Sequence, residues 1–425
     1  MKTKAAHAPR KAALRLILGA LEDGRMLEES AAPEGLSGQD RARALALARA
    51  TMRWLGPIDA VLARFVKRAP DAPARAILRL GATEILALDA APYGVVDACV
   101  EIAKSRKDTA KMSGLVNAVL RKVASEGPAI WDEIDLIRLA SPNWLWRQLR
   151  ADWGKVAARA IAEAHLNAPP TDLTTKADAN GWAETLEAKT TPSGSVRLMK
   201  SRKLTEAPGF AEGDWWAQDA AAAIPARLAG EGDGRRALDL CAAPGGKTMQ
   251  LAAAGWAVTA LDSSEDRMKR VAENLSRTGL AADLVVADAR DWSSEEPFDL
   301  VLLDAPCSAT GTIRRHPELP HIRDGSGVDA TVTLQSRLLA AAWKMVRPGG
   351  RLIYATCSLN RAEGEAQISA FLAAHPEAAR IPVTAAETGD PGFVNAYGDL
   401  RTRPDFWADV GGMDGFYASR IEKPA

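Results

Sequence analysis

The stretch Ala237-Leu-Asp-Leu-Cys-Ala-Ala-Pro-Gly-Gly-Lys-Thr248 is the most informative segment of the chain for its architecture. It begins as a short apolar run, which is typical of a buried strand, and passes through glycines into a helical pattern. Further strand and helix patterns alternate after it. Such alternation predicts a parallel sheet with helices on both faces. Because ligands of these sheets bind at the carboxyl ends of the strands, the residues that follow each strand carry the functional information.

The apolar runs and helical periodicities between residue 237 and the end of the chain define the predicted elements. The strands are predicted at 237–240, 258–262, 283–288, 298–304, 351–356 and 416–421. The helices are predicted near 245–254, 265–278, 333–346 and 361–374. We therefore expect an α/β, Rossmann-like domain over residues 231–425.

The first part of the chain has a different pattern. Residues 1–140 are rich in Ala, Leu and Arg, with apolar residues at helical spacing, and predict an all-helical domain in which Pro57, Pro92 and Pro128 start or stop helices. After a break in composition, residues 141–230 mix helical and strand patterns and predict a small α+β domain. The expected organisation therefore has three domains, over 1–140, 141–230 and 231–425.

Composition limits the class of protein. The 425 residues are 47% hydrophobic and 25% charged, as in soluble globular proteins, and their formal net charge is zero. Residues 1–140 carry 22 Lys and Arg against 17 Asp and Glu, which permits a polyanionic partner but equally suits a solvated helical surface. Four cysteines without a Cys-x-x-Cys pair argue against a disulfide framework or a zinc site. Without a signal peptide or a membrane span, a cytoplasmic protein is expected.

The turn after the first predicted strand is a candidate cofactor loop. Glycines there let a ligand approach the backbone, and the helix that follows offers unpaired N–H groups. A phosphate-binding loop needs a glycine five residues before Gly246, where this chain has Cys241, and the dinucleotide-binding glycine pattern is also absent. A nucleoside site without strong phosphate demands remains. Its candidate residues are Cys241, Ala242, Ala243, Pro244, Gly245, Gly246 and Lys247.

Three aspartates stand at the ends of successive strands and complete this candidate site. Asp262 is placed to accept both ribose hydroxyls, and Asp288 to accept an adenine amino group. Any one of them could instead cap a helix, but Asp262, Asp288 and Asp304 occupy equivalent positions. S-adenosylmethionine carries a ribose, an adenine and a sulfonium but no phosphate, and it fits this inventory.

Two cysteines also follow predicted strands. Cys307 lies in Asp304-Ala-Pro-Cys-Ser-Ala-Thr-Gly311, and Cys357 lies in Ala355-Thr-Cys-Ser358. Free cysteines are commonly small buried hydrophobes, the reading we prefer for Cys99. Neighbouring strands are only about 5 Å apart, however, so Cys307 and Cys357 are expected to meet at the sheet edge.

The run Asp304-Ala-Pro-Cys-Ser-Ala-Thr-Gly-Thr-Ile-Arg-Arg-His-Pro317, together with the cofactor loop and Ala355-Thr-Cys-Ser358, resembles the Sun family of RNA cytosine-5 methyltransferases. The first 140 residues resemble the RNA-binding NusB domain, notably in Ile77-Leu-Arg-Leu-Gly-Ala-Thr-Glu84. The combination is similar to the bacterial type that modifies small-subunit ribosomal RNA. It implies a mixed seven-stranded sheet, an S-adenosylmethionine cofactor and an RNA partner, and we expect a monomer without a membrane partner.

The resemblance also implies roles for four residues. Cys357 corresponds to the nucleophile that adds to the cytosine ring, and Cys307 to the thiol that promotes product release. Asp304 is expected to stabilise the protonated ring, and Lys247 to contact the base and favour the nearby thiolate. Arg314, Arg315 and His316 follow on a loop where phosphate contact is plausible. Methylation of another RNA such as tRNA, methylation of a base amino group, and a noncatalytic RNA-binding assembly factor remain the alternatives.

Overall fold

The computed structural model describes residues 7–28 and 36–425, which form two compact units. The first unit contains the described residues up to Ala168 together with Ile313–Gly325. The second contains Pro169–Thr312 and Ser326–Ala425. The short segment Ile313–Gly325 therefore belongs to the first unit, although both neighbouring segments of the chain belong to the second.

The first unit is helical, as predicted. Its core contains Ile17, Met52, Ile77 and Leu120, and the buried thiol of Cys99 packs among them. Its helices are Ala8–Asp23, Gly38–Arg53, Leu55–Leu62, Ala72–Leu86, Pro92–Lys104, Ser113–Glu133, Leu136–Ala140, Asn143–His165 and, from the later segment, Leu319–Ile322.

Of the three prolines predicted to start or stop helices, two mark helix starts and one does not. Pro92 is the first residue of its helix, and Pro57 lies in the first turn of Leu55–Leu62. Pro128 lies inside the helix Ser113–Glu133, so its prediction as a start or stop is wrong. A helical proline removes one hydrogen bond, but the buried positions of this helix pack into the core and keep the helix continuous.

The second unit contains a small antiparallel sheet. Its strands are β1 (Asp172–Thr175), β2 (Ala188–Thr190), β3 (Val196–Leu198) and β4 (Trp215–Ala217), in the order β2-β3-β1-β4. The helix Ala179–Thr185 lies between β1 and β2 in the chain. A buried ion pair between Arg197 and Asp172, with Nε 2.7 Å from Oδ1, joins β3 to β1.

The large sheet of the second unit is mixed, as the resemblance implies. Its strands are β5 (Arg236–Leu240), β6 (Ala257–Asp262), β7 (Asp283–Val286), β8 (Phe298–Asp304), β9 (Val346–Thr356), β10 (Ala379–Arg380), β11 (Leu400–Arg401) and β12 (Tyr417–Glu422). Seven lie side by side in the order β10-β12-β9-β8-β5-β6-β7, and β11 adds a short eighth strand against β12. The helices of this unit from β4 onward are Ala220–Arg227, Gly246–Ala253, Glu265–Thr278, Val328–Met345, Glu365–Ala374 and Ala385–Thr388.

The register of the parallel strands brings their carboxyl ends to one edge. β5 to β9 are mutually parallel, and Asp304 at the end of β8 pairs with Ala355 near the end of β9. Separate apolar clusters lie around Leu303 and Tyr354 and around Leu302 and Ile353. The residues that follow β8 and β9 are thus held side by side. Among the described helices, none is both long and apolar enough to cross a membrane.

Candidate active site

The loop between β5 and the next helix turns sharply over the sheet edge. Cys241 has a positive φ of 59°, and Gly245 has a φ of 100°, which L-residues with a side chain rarely adopt. A Cβ on Gly245 would also lie 3.1 Å from Cγ1 of Val271. Burial, and then the nearby carboxylates of Asp304 and Asp262, raise the pKa of the Cys241 thiol to about 12. Cys241 is therefore held as a neutral thiol, which fits a structural place in the loop rather than a nucleophilic one.

The three strand-end aspartates have different surroundings. Asp262 is only 2% exposed, and its oxygens accept hydrogen bonds from the N–H groups of Ser264 and Ala243. Asp288 is more open and binds Arg290 through both oxygens, and these hydrogen bonds lower the pKa of the Asp288 carboxyl to about 2. The Asp262 carboxylate thus tethers the cofactor loop to the end of β6, whereas that of Asp288 lies at a more exposed position after β7.

The Lys247 side chain reaches across the sheet edge from the cofactor loop. Its Nζ lies 2.7 Å from Oδ2 of Asp304 and 5.2 Å from the ring centre of Phe416. Burial lowers the pKa of Lys247, but the Asp304 carboxylate more than offsets this effect, so the pKa is raised. The charge of a Cys357 thiolate also contributes to the raised pKa. The buried ammonium therefore stays protonated beside Asp304 and Cys357.

The two predicted thiols meet, as their strand-end positions predict. Sγ of Cys307 lies 3.4 Å from Sγ of Cys357, and both side chains are half-buried. The Cys307 loop is also bound to the Cys357 loop through its backbone, because Gly311 N–H donates to the carbonyl of Cys357 over 2.9 Å. A Cβ on Gly311 would come within 1.9 Å of the carbonyl oxygen of Gly415, which explains the glycine.

The two thiols differ in their electrostatic environment. A hydrogen bond with Cys357, burial and the carboxylate of Glu363 all raise the pKa of Cys307 well above its ordinary value. Cys307 is thus held as a neutral thiol. Such a thiol can give or relay a proton, whereas a nucleophile has to be a thiolate.

A buried polar cluster that sequence reasoning missed lies behind the thiols. Glu363 is fully buried in the short 3-10 turn Arg361–Glu363 and binds Ser308 and Ser358, the residues that follow the two cysteines. Thr310 and Gln335 complete the cluster. The sequence signal available for it is the repeated Cys-Ser pair after two strands.

The residues after the Pro-Cys motif are placed differently from expectation. Arg314 is only 1% exposed within the helical unit, and its carbonyl accepts a hydrogen bond from Arg53 over 2.7 Å. Burial excludes direct phosphate contact by this side chain, so the expectation for Arg314 is wrong. His316 lies 3.8 Å from the buried carboxylate of Glu318, consistent with a locally bonded loop residue.

The groups around the loop fit S-adenosylmethionine. Three carboxylates surround the sheet edge, and the buried cation Lys247 is already paired with Asp304. This arrangement disfavours a polyphosphate, since its charges would meet carboxylates rather than available ammonium groups. It suits hydroxyl and amino donors and a sulfonium cation. The loop 241–246, with Asp262 and Asp288, would hold such a ligand, which would supply a methyl group.

Comparisons with known proteins agree with this reading. The family model described as 16S rRNA methyltransferase RsmB/F matches residues 227–422, and the NusB family model matches residues 7–125. A ribosomal RNA small subunit methyltransferase B of Xanthomonas campestris is 37% identical over 89% of this chain and 90% of its own length. The protein of the same name from Xylella fastidiosa (strain Temecula1) is also 37% identical, over 98% of both chains.

Solved structures show the same architecture. The crystal structure of PH0851 has a TM-score of 0.77 and 25% identity, and it covers 97% of this chain and 98% of its own. A methyltransferase homolog protein from Pyrococcus horikoshii has a TM-score of 0.57 and 25% identity, over 68% of this chain and 97% of its own. The first similarity thus extends over nearly the whole chain.

Proposed function

We propose, from the premise that this chain belongs to the RsmB/F family of 16S rRNA methyltransferases, that it methylates carbon 5 of a cytosine in small-subunit ribosomal RNA. The observation that carries the proposal is the meeting of two thiols, 3.4 Å apart, beside the Lys247–Asp304 ion pair. Methylation of a base amino group has no need of a paired thiol. Methylation of carbon 5 of cytosine does need a nucleophile such as a thiol, because carbon 5 reacts poorly until another group adds to carbon 6. A second thiol can then assist product release.

S-adenosylmethionine is the cofactor, and it supplies an electrophilic methyl group when bound. The thiolate of Cys357 adds to carbon 6 of the ring, which makes carbon 5 electron-rich enough to take the methyl group. The nearby ammonium of Lys247 favours the thiolate form of Cys357. Asp304 contacts the ring edge with Oδ1 while its Oδ2 stays bound to Lys247.

Product release then needs the loss of the carbon 5 proton and cleavage of the bond between carbon 6 and sulfur. The electron pair of the departing proton restores the ring double bond, and the electrons of the cleaved bond return to Cys357 as a thiolate. Cys307 lies beside Cys357, and its raised pKa keeps it neutral during the attack. It relays the departing proton to solvent water, taking the proton on sulfur as its own S–H proton leaves. Under this proposal residues 1–140 and 141–230 bind the RNA, and residues 231–425 perform the transfer.

The test uses RNA that carries tritium at carbon 5 of every cytosine. Small-subunit ribosomal RNA from a strain lacking the gene is incubated with the protein and the cofactor, and released tritium is compared with methyl groups incorporated. We expect one tritium in water for each methyl group and 5-methylcytidine in the digested RNA. Methyl incorporation without tritium release would exclude the proposal, because amino-group methylation leaves carbon 5 untouched.

Bisulfite sequencing identifies the RNA and the position. Ribosomal RNA and tRNA from the deletion strain are compared with those from the same strain carrying the gene. We expect one protected cytosine in small-subunit ribosomal RNA to disappear on deletion and to return with the gene. Loss of a protected tRNA cytosine instead would contradict the ribosomal assignment.

A further inference from the structure

We propose that Glu363 is a positioning residue that ties the two cysteine loops together and so sets the separation of the Cys307 and Cys357 thiols. Its consequence for catalysis rests on the proposed function, but the positioning itself is a property of the protein alone. The cysteine loops are defined as 305–311, which follows β8, and 357–360, which follows β9.

Glu363 binds both loops through one carboxylate. Its Oε1 accepts the Ser308 N–H over 2.8 Å and a side-chain N–H of Gln335 over 3.1 Å. Its Oε2 accepts the hydroxyl groups of Ser308 and Ser358, each over 2.5 Å. The two serine hydroxyls are themselves 3.0 Å apart. One oxygen of Glu363 is thus the point at which the loops converge.

Burial of the Glu363 carboxylate in this cluster costs desolvation free energy. Glu363, Ser358 and Gln335 are fully buried, and the hydrogen-bond donors to Glu363 given above are neutral groups. A buried carboxylate loses its hydration, and an opposite charge usually offsets the loss in proteins. In this cluster the four hydrogen bonds to Glu363 offset the lost hydration instead of an opposite charge. The arrangement yields a rigid junction directly behind the reacting atoms.

Glu363 is linked to the thiols because it binds each cysteine loop at the residue next to the cysteine. Backbone hydrogen bonds fix the Cys307 loop at its two ends, from Ala305 N–H to Ala355 and from Gly311 N–H to Cys357. Between those ends Pro306 and Thr310 also accept hydrogen bonds, from Gln335 and Leu359 respectively, but the anchor next to Cys307 is Ser308. On the other loop, Ser358 is the residue next to Cys357. A movement of either serine therefore moves a thiol.

Glu363 also affects Cys307 through its charge. The hydrogen bond with Cys357, burial and the charge of Cys357 raise the pKa of Cys307 most, and the negative charge of Glu363 raises it further. The same carboxylate that brings the thiols together thus disfavours a thiolate at Cys307.

The first test measures thiol proximity without RNA or cofactor. Diamide takes two electrons and two protons from a pair of thiols, forming a disulfide and a hydrazine. The full-length protein is treated briefly with diamide, and the Cys307–Cys357 disulfide is quantified by peptide mass spectrometry. We expect Glu363→Ala to slow its formation about tenfold, because the loops are no longer held at contact distance.

Two further variants separate positioning from loss of charge or of folding. Glu363→Gln keeps the shape and can still bond both serines, since hydroxyl groups accept as well as donate, so we expect a rate within about threefold of wild type. Glu387→Gln is the matched control, because it makes the same change at a carboxylate that binds Arg420 and Thr384. If Glu363→Ala does not fold, a variant combining Ser308→Ala and Ser358→Ala replaces it, with the same expected slowing.

The second test asks whether the separation matters for turnover. With saturating RNA and cofactor, we expect Glu363→Ala to lower kcat about 100-fold while both KM values stay within about twofold, and Glu363→Gln to restore most of kcat. Equal disulfide rates in wild type and Glu363→Ala, or equal slowing by Glu387→Gln, would overturn the positioning role. If these rates differ as expected but the wild-type protein does not methylate cytosine, the proposed function fails and the positioning role stands.

Discussion

The loops after β8 and β9 are built alike but have different charged neighbours. Each follows a buried strand, each carries a Cys-Ser pair, and both serines bind Glu363. Yet the hydrogen bond with Cys357, burial and, to a smaller extent, the charge of Glu363 raise the pKa of Cys307, whereas the charge of Cys357 is among the causes that raise the pKa of Lys247. Two thiols in contact thus have different charged neighbours. Two loops of the same design can therefore carry thiols for which we propose unequal chemical roles, because the charged side chains around the two thiols differ.

Removal of Cys357 is the strongest challenge to this asymmetry. If Cys357 is the nucleophile, Cys357→Ala should lower methyl transfer about 10⁴-fold or more, because no other thiol is activated in its place. It should also form no protein–RNA adduct that survives denaturation. Transfer is measured with labelled cofactor and the adduct by denaturing electrophoresis. Retained activity with Cys307 as the attacking group would mean that the roles of the two thiols are reversed.

Removal of Cys307 should give a different defect. Cys307→Ala leaves the attack intact but impairs release, so we expect a covalent protein–RNA adduct to accumulate while multiple turnover falls about 100-fold. The same electrophoresis detects the adduct, and Cys99→Ala, which changes a thiol buried in the helical core, is the control. Absence of an adduct in Cys307→Ala would contradict a release role.

Replacement of Lys247 should reduce the difference between the thiols. Without the ammonium the Cys357 thiolate loses a favourable neighbour, so Lys247→Met should lower kcat about 30-fold at neutral pH. The acidic limb of the rate profile should move to higher pH, since a thiolate without a nearby cation forms at higher pH. The profile is measured from pH 6 to 9, with the exposed Lys269→Met as control. An unchanged limb would remove Lys247 from the activation of Cys357.

The smallest expected difference is that between the alkylation rates of Cys357 and Cys307 in the protein without RNA. A raised pKa leaves less thiolate at a given pH, so iodoacetamide at pH 8.5 should label Cys357 about tenfold faster than Cys307. Burial raises the pKa of Cys99 to about 12, and that of Cys241 is also about 12, so neither should react in the folded state. Mass spectrometry of early time points gives the order, and denatured protein shows the reactivity of all four thiols without the fold. Faster labelling of Cys307 would contradict the asymmetry.

The sequence predicted the edge of the sheet well because strand patterns and turn residues are local. Phe298–Asp304 is a strand with the predicted bounds, and the meeting of Cys307 with Cys357 followed from parallel neighbours ending together. β9 begins at Val346, earlier than predicted, because its first residue pairs with Phe298 across a bulge that no local pattern reveals.

Features that depend on tertiary packing could not be predicted. The burial of Glu363 results from the convergence of two loops and a helix around it, and its sequence neighbours, Ala362 and Gly364, carry no sign of that. The assignment of Asp262, Asp288 and Asp304 to a cofactor came from position alone. Their side-chain partners, such as Arg290 at Asp288, depend on the tertiary structure and cannot be predicted from the sequence. The roles of these side chains remain predictions.

The grouping of Ile313–Gly325 with the helical unit has a consequence for protein engineering. A cut after Ala168 looks like a clean separation of two modules, but the remaining chain would still carry this segment. Ile313, Leu319 and Pro320, all buried in the full chain, would then be stripped of their packing partners among the helices. An isolated catalytic fragment is therefore expected to aggregate through these exposed apolar side chains. Exchange of the helical module between relatives would have to transplant two pieces of chain rather than one.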